Sequence, residues 1–95
     1  MADADAPAPA ALEPGWFVYV LLNGEDVAYT GIALDVEARL VRHNAGAGAR
    51  FTRGRGPWRL AHVEGPFARG EALRRERALK RDRRFKMALK ADAAL

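Results

Sequence analysis

The sequence contains no cysteine. That absence excludes a disulfide framework, a thiolate zinc site and a cysteine nucleophile together. Long apolar stretches are also missing. The longest unbroken run, Trp16 to Leu22, has seven residues, against the ~20 that span a bilayer. The first residues carry the acids Asp3 and Asp5 but neither Lys nor Arg, so the basic start of a signal peptide is lacking. These absences lead to the expectation of a soluble, cytoplasmic chain with no membrane partner. Positive charge is absent from a whole section: none of the sixteen Lys and Arg falls within residues 1–38.

Ninety-five residues, 49% hydrophobic and 29% charged, suit one small globular domain. Residues 1–38 hold seven acids and balance at −7, whereas residues 39–95 hold every basic residue against five acids and balance at +11. Thirteen of the sixteen cations are Arg, whose planar fork pairs bidentately with phosphate. A compositional bias explains Arg over Lys but not the segregation of sign. Basic charge confined to one part of a chain is the footprint of a nucleic-acid binder.

Residues 1–14 are rich in Ala and Pro with little to bury and read as a disordered tail. A folded domain is expected over 15–91, with 92–95 as a short C-terminal tail. Trp16 to Leu22 is β-branched and aromatic and apolar on both faces, which predicts a central buried strand. Asn23-Gly24 signals a hairpin, and Val27 to Ile32 is the antiparallel partner. Gly31 is expected to end the pairing, through a bulge or a close backbone approach. Asp35 is a good N-cap for a helix reaching about Asn44. Residues 45–57, with four glycines, are expected to lack regular structure. Trp58 to Glu64 reads as a third strand closed by Gly65-Pro66, followed by helices over Ala68 to Arg81 and Asp82 to about Lys90. The order β-β-α-β-α-α implies an α+β domain, a three-stranded, mainly antiparallel sheet flanked by helices.

Several residues sit against their pattern. Glu76 falls on the helical stripe of Ala72 and Leu79 that must face the sheet. A carboxylate there needs a partner: the i+4 ammonium of Lys80, in an ordinary ion pair, or a functional cation. Arg39 and His43, one turn apart, lie beside the apolar anchors Val36 and Leu40. They could be a snorkelling arginine and a packed histidine, or a functional pair. Tyr19 and Tyr29 flank the hairpin turn and could simply pack, although each buried phenol needs a hydrogen-bond partner. Arg50, Phe51, Arg53 and Arg55 could grip a strand, phosphates on the arginines and a base on the ring, or form a solvated loop.

Taken together, these positions resemble the GIY-YIG nuclease domain, in its small stand-alone bacterial form. Phe17-Val18-Tyr19 stands where the family's first tripeptide falls, keeping only its tyrosine. Tyr29-Thr30-Gly31 stands at the second, keeping tyrosine and glycine. Asp35 to Asn44 matches the helix with the family's arginine, Arg39, and the histidine one turn on, His43. Ala49 to Arg53 and Pro57-Trp58 resemble the loop and third strand of the small members. Glu71 to Lys80 resembles the helix whose glutamate, here Glu76, binds metal. The likeness spans about residues 16–90. The first motif lacks its Gly-Ile, and the asparagine of larger members has no counterpart.

The resemblance implies a nuclease hydrolysing phosphodiester bonds in DNA, branched or damaged substrates included. A domain this small has little surface for reading sequence, so a protein partner or substrate shape is the expected source of specificity. It implies one divalent ion, Mg²⁺ or Mn²⁺, on Glu76, a phosphate contact from Arg39, Tyr19 as base, and Tyr29 orienting water or phosphate. Because a phenol titrates near pH 10, Arg39 and His43 are the groups expected to lower Tyr19, unless His43 relays its proton. The alternative is a catalytically weak nucleic-acid-binding module using the basic C-terminal half.

Overall fold

In the computed structural model, residues 14–94 are described. All but the last residue of the expected N-terminal tail (1–14) lies outside them. The elements are β1 (Trp16–Asn23), β2 (Ala28–Ala33), α1 (Val36–Asn44), a 3₁₀ turn (Arg50–Thr52), β3 (Trp58–Phe67), α2 (Arg69–Arg81) and α3 (Arg83–Ala94). The β-β-α-β-α-α order stands as expected, and both strand pairings are antiparallel.

The sheet order is β2-β1-β3. β1 is central because it alone is apolar on both faces, and Val18 to Leu22 are all buried. One face presents Val18 and Val20 to Ala72 and Leu79 of α2, with Phe85 and Leu89 of α3 packed beside them. The other presents Tyr19 and Leu21 to Trp58 and Ala33, with Val36 and Leu40 of α1 closing over them. β2 is therefore an edge strand with α1 on one face and α2 on the other.

Local chemistry sets the connections. At the hairpin, the Asn23 side-chain oxygen accepts from the backbone N–H of Glu25 and of Val27, each at 2.9 Å. Asp35 caps α1 by accepting from Ala38 N at 3.0 Å. Asp82 separates α2 from α3 and accepts from Phe85 N at 2.9 Å.

The boundaries differ from expectation in four places. Pairing does not end at Gly31, which lies opposite Tyr19 while β2 runs on to Ala33. β3 does not close at Gly65-Pro66 but continues to Phe67, opposite Trp16, because register shifts in the β1–β3 pairing absorb the irregularity. The 45–57 segment contains one regular turn, Arg50–Thr52, since the buried Thr52 anchors it from inside. α3 reaches Ala94, into the stretch read as a tail, as helix-favouring alanines allow.

β3 is tied to α2 by Glu64, which accepts from Arg75 Nε at 2.6 Å and Nη2 at 2.9 Å and contacts His62 Nε2 at 2.7 Å. These partners, Arg75 foremost, hold the Glu64 carboxyl down at about 2, against an ordinary 4.5. A carboxyl depressed in the folded state stabilises above its unfolded pKa and loses that contribution as pH falls through the folded one. Stability should thus decline from about pH 4.5 toward pH 2. The decline should not exceed about 2 kcal/mol, because the Arg75 side chain is 44% exposed and screened. Urea titrations across this range should show a shallower decline in Glu64→Gln.

Candidate active site

Tyr19 is fully buried, on the face of β1 that α1 covers, and its ring lies over Gly31 of β2. A Cβ at Gly31 would stand 2.7 Å from the Tyr19 hydroxyl and 3.1 Å from the Tyr29 ring. Only glycine lets both rings occupy this margin.

The Tyr19 hydroxyl lies 2.8 Å from His43 Nε2, and His43 Nδ1 lies 2.8 Å from Thr52 Oγ1. Thr52 Oγ1 in turn donates to the Ala49 carbonyl at 2.8 Å. This last bond fixes the tautomer. With the only hydroxyl proton of Thr52 committed to Ala49, its oxygen must accept from His43 Nδ1–H. His43 Nε2 is then the unprotonated nitrogen and accepts from the Tyr19 hydroxyl. Burial first, then the charges of Arg39 and Arg42, lower the His43 pKa and keep the ring neutral. Gly48 backs this histidine so closely that a Cβ there would clash with its Nδ1 and crowd its Cα and Cε1 at 3.0 Å.

One expectation is corrected here. Arg39 and His43 were to lower the Tyr19 pKa, but it is raised, because burial outweighs the Arg39 guanidinium. The neutral His43 is no cation. Its Nε2 accepts the hydrogen bond of the phenol instead.

Tyr29 is half-buried, with its ring centroid 5.0 Å from His43 and 6.3 Å from Tyr19. Phe51 stacks on Tyr29 at 6.1 Å and 21°, and the Arg55 guanidinium lies 4.7 Å over Phe51. Phe51 and Arg55 thus extend the aromatic group. Arg50 and Arg53 are exposed on the same loop, and no hydrogen bond or ion pair among the described residues draws their side chains to the tyrosines. Arg39, exposed on α1, lines a cleft at the far end of β2.

Glu76 projects from α2 with its side chain 17% exposed and its Oε2 3.2 Å from Lys80 Nζ. The ion pair considered from the sequence is therefore formed. It leaves the other carboxylate oxygen to a further partner, and the Glu76 charge is felt at Tyr19. Among the described residues, no group of three or more His, Asp or Glu could hold a metal. A closed zinc-type cage is thereby excluded for them. One half-buried carboxylate fits an ion such as Mg²⁺, which keeps most of its waters.

Tyr29, His43, Arg39 and Glu76 thus all lie near enough to bear on the Tyr19 hydroxyl. Thr52 and Gly48 were not singled out from the sequence. Nothing in the glycine-rich loop marks either of them as internal.

Comparison with known proteins bears on this arrangement. A family described as the GIY-YIG catalytic domain matches residues 15–89. A UPF0213 protein of Halobacterium salinarum is 46% identical over 63 residues, covering 66% of this chain and 82% of that one. One from Staphylococcus epidermidis is 40% identical over 74 residues, covering 75% and 90%. The solution NMR structure of a UPF0213 protein from Bacillus halodurans is 39% identical with a TM-score of 0.48, covering 80% of this chain and 82% of that one.

Proposed function

This chain belongs to the GIY-YIG catalytic domain family, and from that premise we propose that it is a metal-dependent endonuclease acting on DNA in the cytoplasm. The observation that carries the reading is the hydrogen-bonded run from Tyr19 through His43 to Thr52, with Arg39 and Glu76 near enough for their charges to act on the phenol. Packing alone asks only that the phenol find a partner; here the partner is a ring nitrogen free to take its proton, held in that tautomer by Thr52.

Hydrolysis requires a deprotonated water, neutralised phosphoryl oxygens and a stabilised leaving oxygen. Tyr19 takes a proton from the attacking water while passing its own hydroxyl proton to His43 Nε2. A neutral phenol can act this way at pH 7 because the proton is handed on, so no free phenolate is needed. His43 then carries both ring protons, with Nδ1–H still held by Thr52. The water oxygen forms the new P–O bond as the scissile P–O bond breaks, and the departing oxygen takes a proton from solvent. Arg39 pairs with the scissile phosphate, and Tyr29 orients the water or the phosphate. Glu76 would hold the divalent ion, which supplies Lewis-acid stabilisation of the phosphoryl and leaving oxygens. Lys80, Arg50, Arg53, Arg55 and Phe51 would contact flanking parts of the strand.

The test is incubation with linear, nicked, flap and forked DNA in Mg²⁺ or Mn²⁺, against an EDTA control. The reading expects ion-dependent cleavage that disappears in Glu76→Ala. Cleavage surviving unchanged in that variant overturns it. Salt-sensitive binding without any cleavage would favour an inert nucleic-acid-binding module, consistent with the +11 balance of residues 39–95.

A further inference from the structure

The cleft that Arg39 lines extends beyond the tyrosines. It has a volume of about 420 Å³ and lies at the Ile32–Leu34 end of β2, walled by Trp16, Arg39, Arg69 and Asp35. At the opposite end of the same strand, a cleft of about 330 Å³ is lined by Tyr29, Phe51, Lys80 and Lys86. The Tyr19 ring and Gly31 lie between the two. α2 runs alongside with Arg69, Glu76 and Lys80 spaced seven and four residues apart, so they share one face of the helix. A 1.5 Å rise per residue puts Arg69 about 10 Å and Lys80 about 6 Å from Glu76 along that face. A polynucleotide crossing Glu76 would therefore meet a cation on each side.

The chemistry of the 420 Å³ cleft is specific. The Arg69 guanidinium sits 5.2 Å over the Trp16 ring. The indole N–H of Trp16 is buried without an acceptor among the described residues, so it is the ring rather than this donor that Trp16 offers to the cleft. Leu34, 53% exposed, adds an apolar wall. Asp35 uses Oδ1 on Ala38 N, and its negative charge makes the cleft a poor seat for a bare anion. Two guanidiniums, one carboxylate and an indole match a nucleotide, with phosphate on arginine, a base amino group on Asp35 and a base face on Trp16.

We propose that this cleft is a nucleotide subsite holding the unpaired residue next to the scissile phosphate, so that the enzyme acts where a strand is single. Both ends of the β2 margin then carry an aromatic with a cation over it, Phe51 with Arg55 and Trp16 with Arg69. Stacking on such platforms requires bases freed from pairing. The proposal rests on the nuclease reading for the position of the scissile phosphate.

Binding of a short fluorescein-labelled single-stranded DNA, and of the blunt duplex of the same sequence, should be measured by anisotropy in EDTA. Cleavage of a flap substrate is followed separately in Mg²⁺. Wild type should prefer the single strand, and Trp16→Ala should weaken that binding by roughly 5- to 100-fold, the range for losing one stacked base. Trp16→Phe, which keeps a stacking ring, should stay near wild type. Arg69→Gln, on an exposed side chain that does not endanger folding, should lower the salt slope on the single strand by about 0.7. If Arg69→Gln and a folded Trp16→Ala bind as wild type while wild type cleaves, the subsite is wrong and the nuclease reading stands. If these variants lose single-strand binding but wild type cleaves nothing, the nuclease reading falls and the binding subsite remains. A wild type that binds neither DNA, or binds the duplex as well as the single strand, overturns the subsite, and one that also cleaves no flap overturns the nuclease reading with it.

Discussion

Replacing Tyr19 by Phe should lower cleavage by about 10²- to 10⁴-fold, the range for a positioned proton acceptor, while DNA affinity at fixed salt barely changes. The ring is fully buried and keeps its packing, so no cavity forms. His43 Nε2, however, loses its donor in a buried position, and leaving such a group unpaired costs about 1–3 kcal/mol. Urea titration of Tyr19→Phe should show that loss, and single-turnover cleavage should show the much larger kinetic one. Thr52→Val should differ. It removes the acceptor that fixes the His43 tautomer but leaves the phenol in place, so the rate should fall less, by roughly 10-fold. Its pH–rate profile should shift as well, because the imidazolium formed during proton transfer loses its Nδ1 partner. If Tyr19→Phe cleaves at the wild-type rate, the tyrosine is only core and the relay does not operate.

The fold was legible where pattern and tertiary role coincide. Trp16 to Leu22 is apolar on both faces because β1 has a helix layer on each side. The Asp35 cap and the Asn23-Gly24 turn are local signals, satisfied locally. Glu76 stood out because a carboxylate on a buried stripe breaks its period, and its half-buried position follows from that. What escaped depends on long-range contact. The inward direction of Thr52 is set by its bonds to His43 and Ala49 and by the Trp58 indole donating to its carbonyl. None of these can be read from a glycine-rich loop. The rise of the Tyr19 pKa escaped for the same reason. The sign of a nearby charge can be read from sequence, but the depth of burial that outweighs it cannot. The passage of β3 through Gly65-Pro66 likewise depends on β1 supplying the partner register.

Glu76→Gln should abolish ion-dependent cleavage at every Mg²⁺ concentration tested, a loss of at least about 10³-fold, with little effect on stability. The carboxylate has one ionic partner, the 54% exposed Lys80. Such a surface pair contributes about 0–1 kcal/mol, and glutamine keeps the shape and one carbonyl acceptor. The melting transition should therefore move by no more than that amount. A neutral amide, though, cannot hold a hard divalent ion as a carboxylate does. Glu76→Asp separates charge from reach: it restores the charge but draws it back by one methylene. If the role is to hold an ion, Glu76→Asp should recover part of the activity as Mg²⁺ or Mn²⁺ is raised, and Glu76→Gln none. Lys80→Met gives the opposite signature. Removing the ammonium that competes for the carboxylate should move the Mg²⁺ midpoint downward, although single-strand affinity falls with the lost phosphate contact. Cleavage measured against ion concentration for the three variants distinguishes these cases. Equal midpoints for wild type and Lys80→Met, with full activity in Glu76→Gln, would mean that Glu76 serves only as half of a surface ion pair.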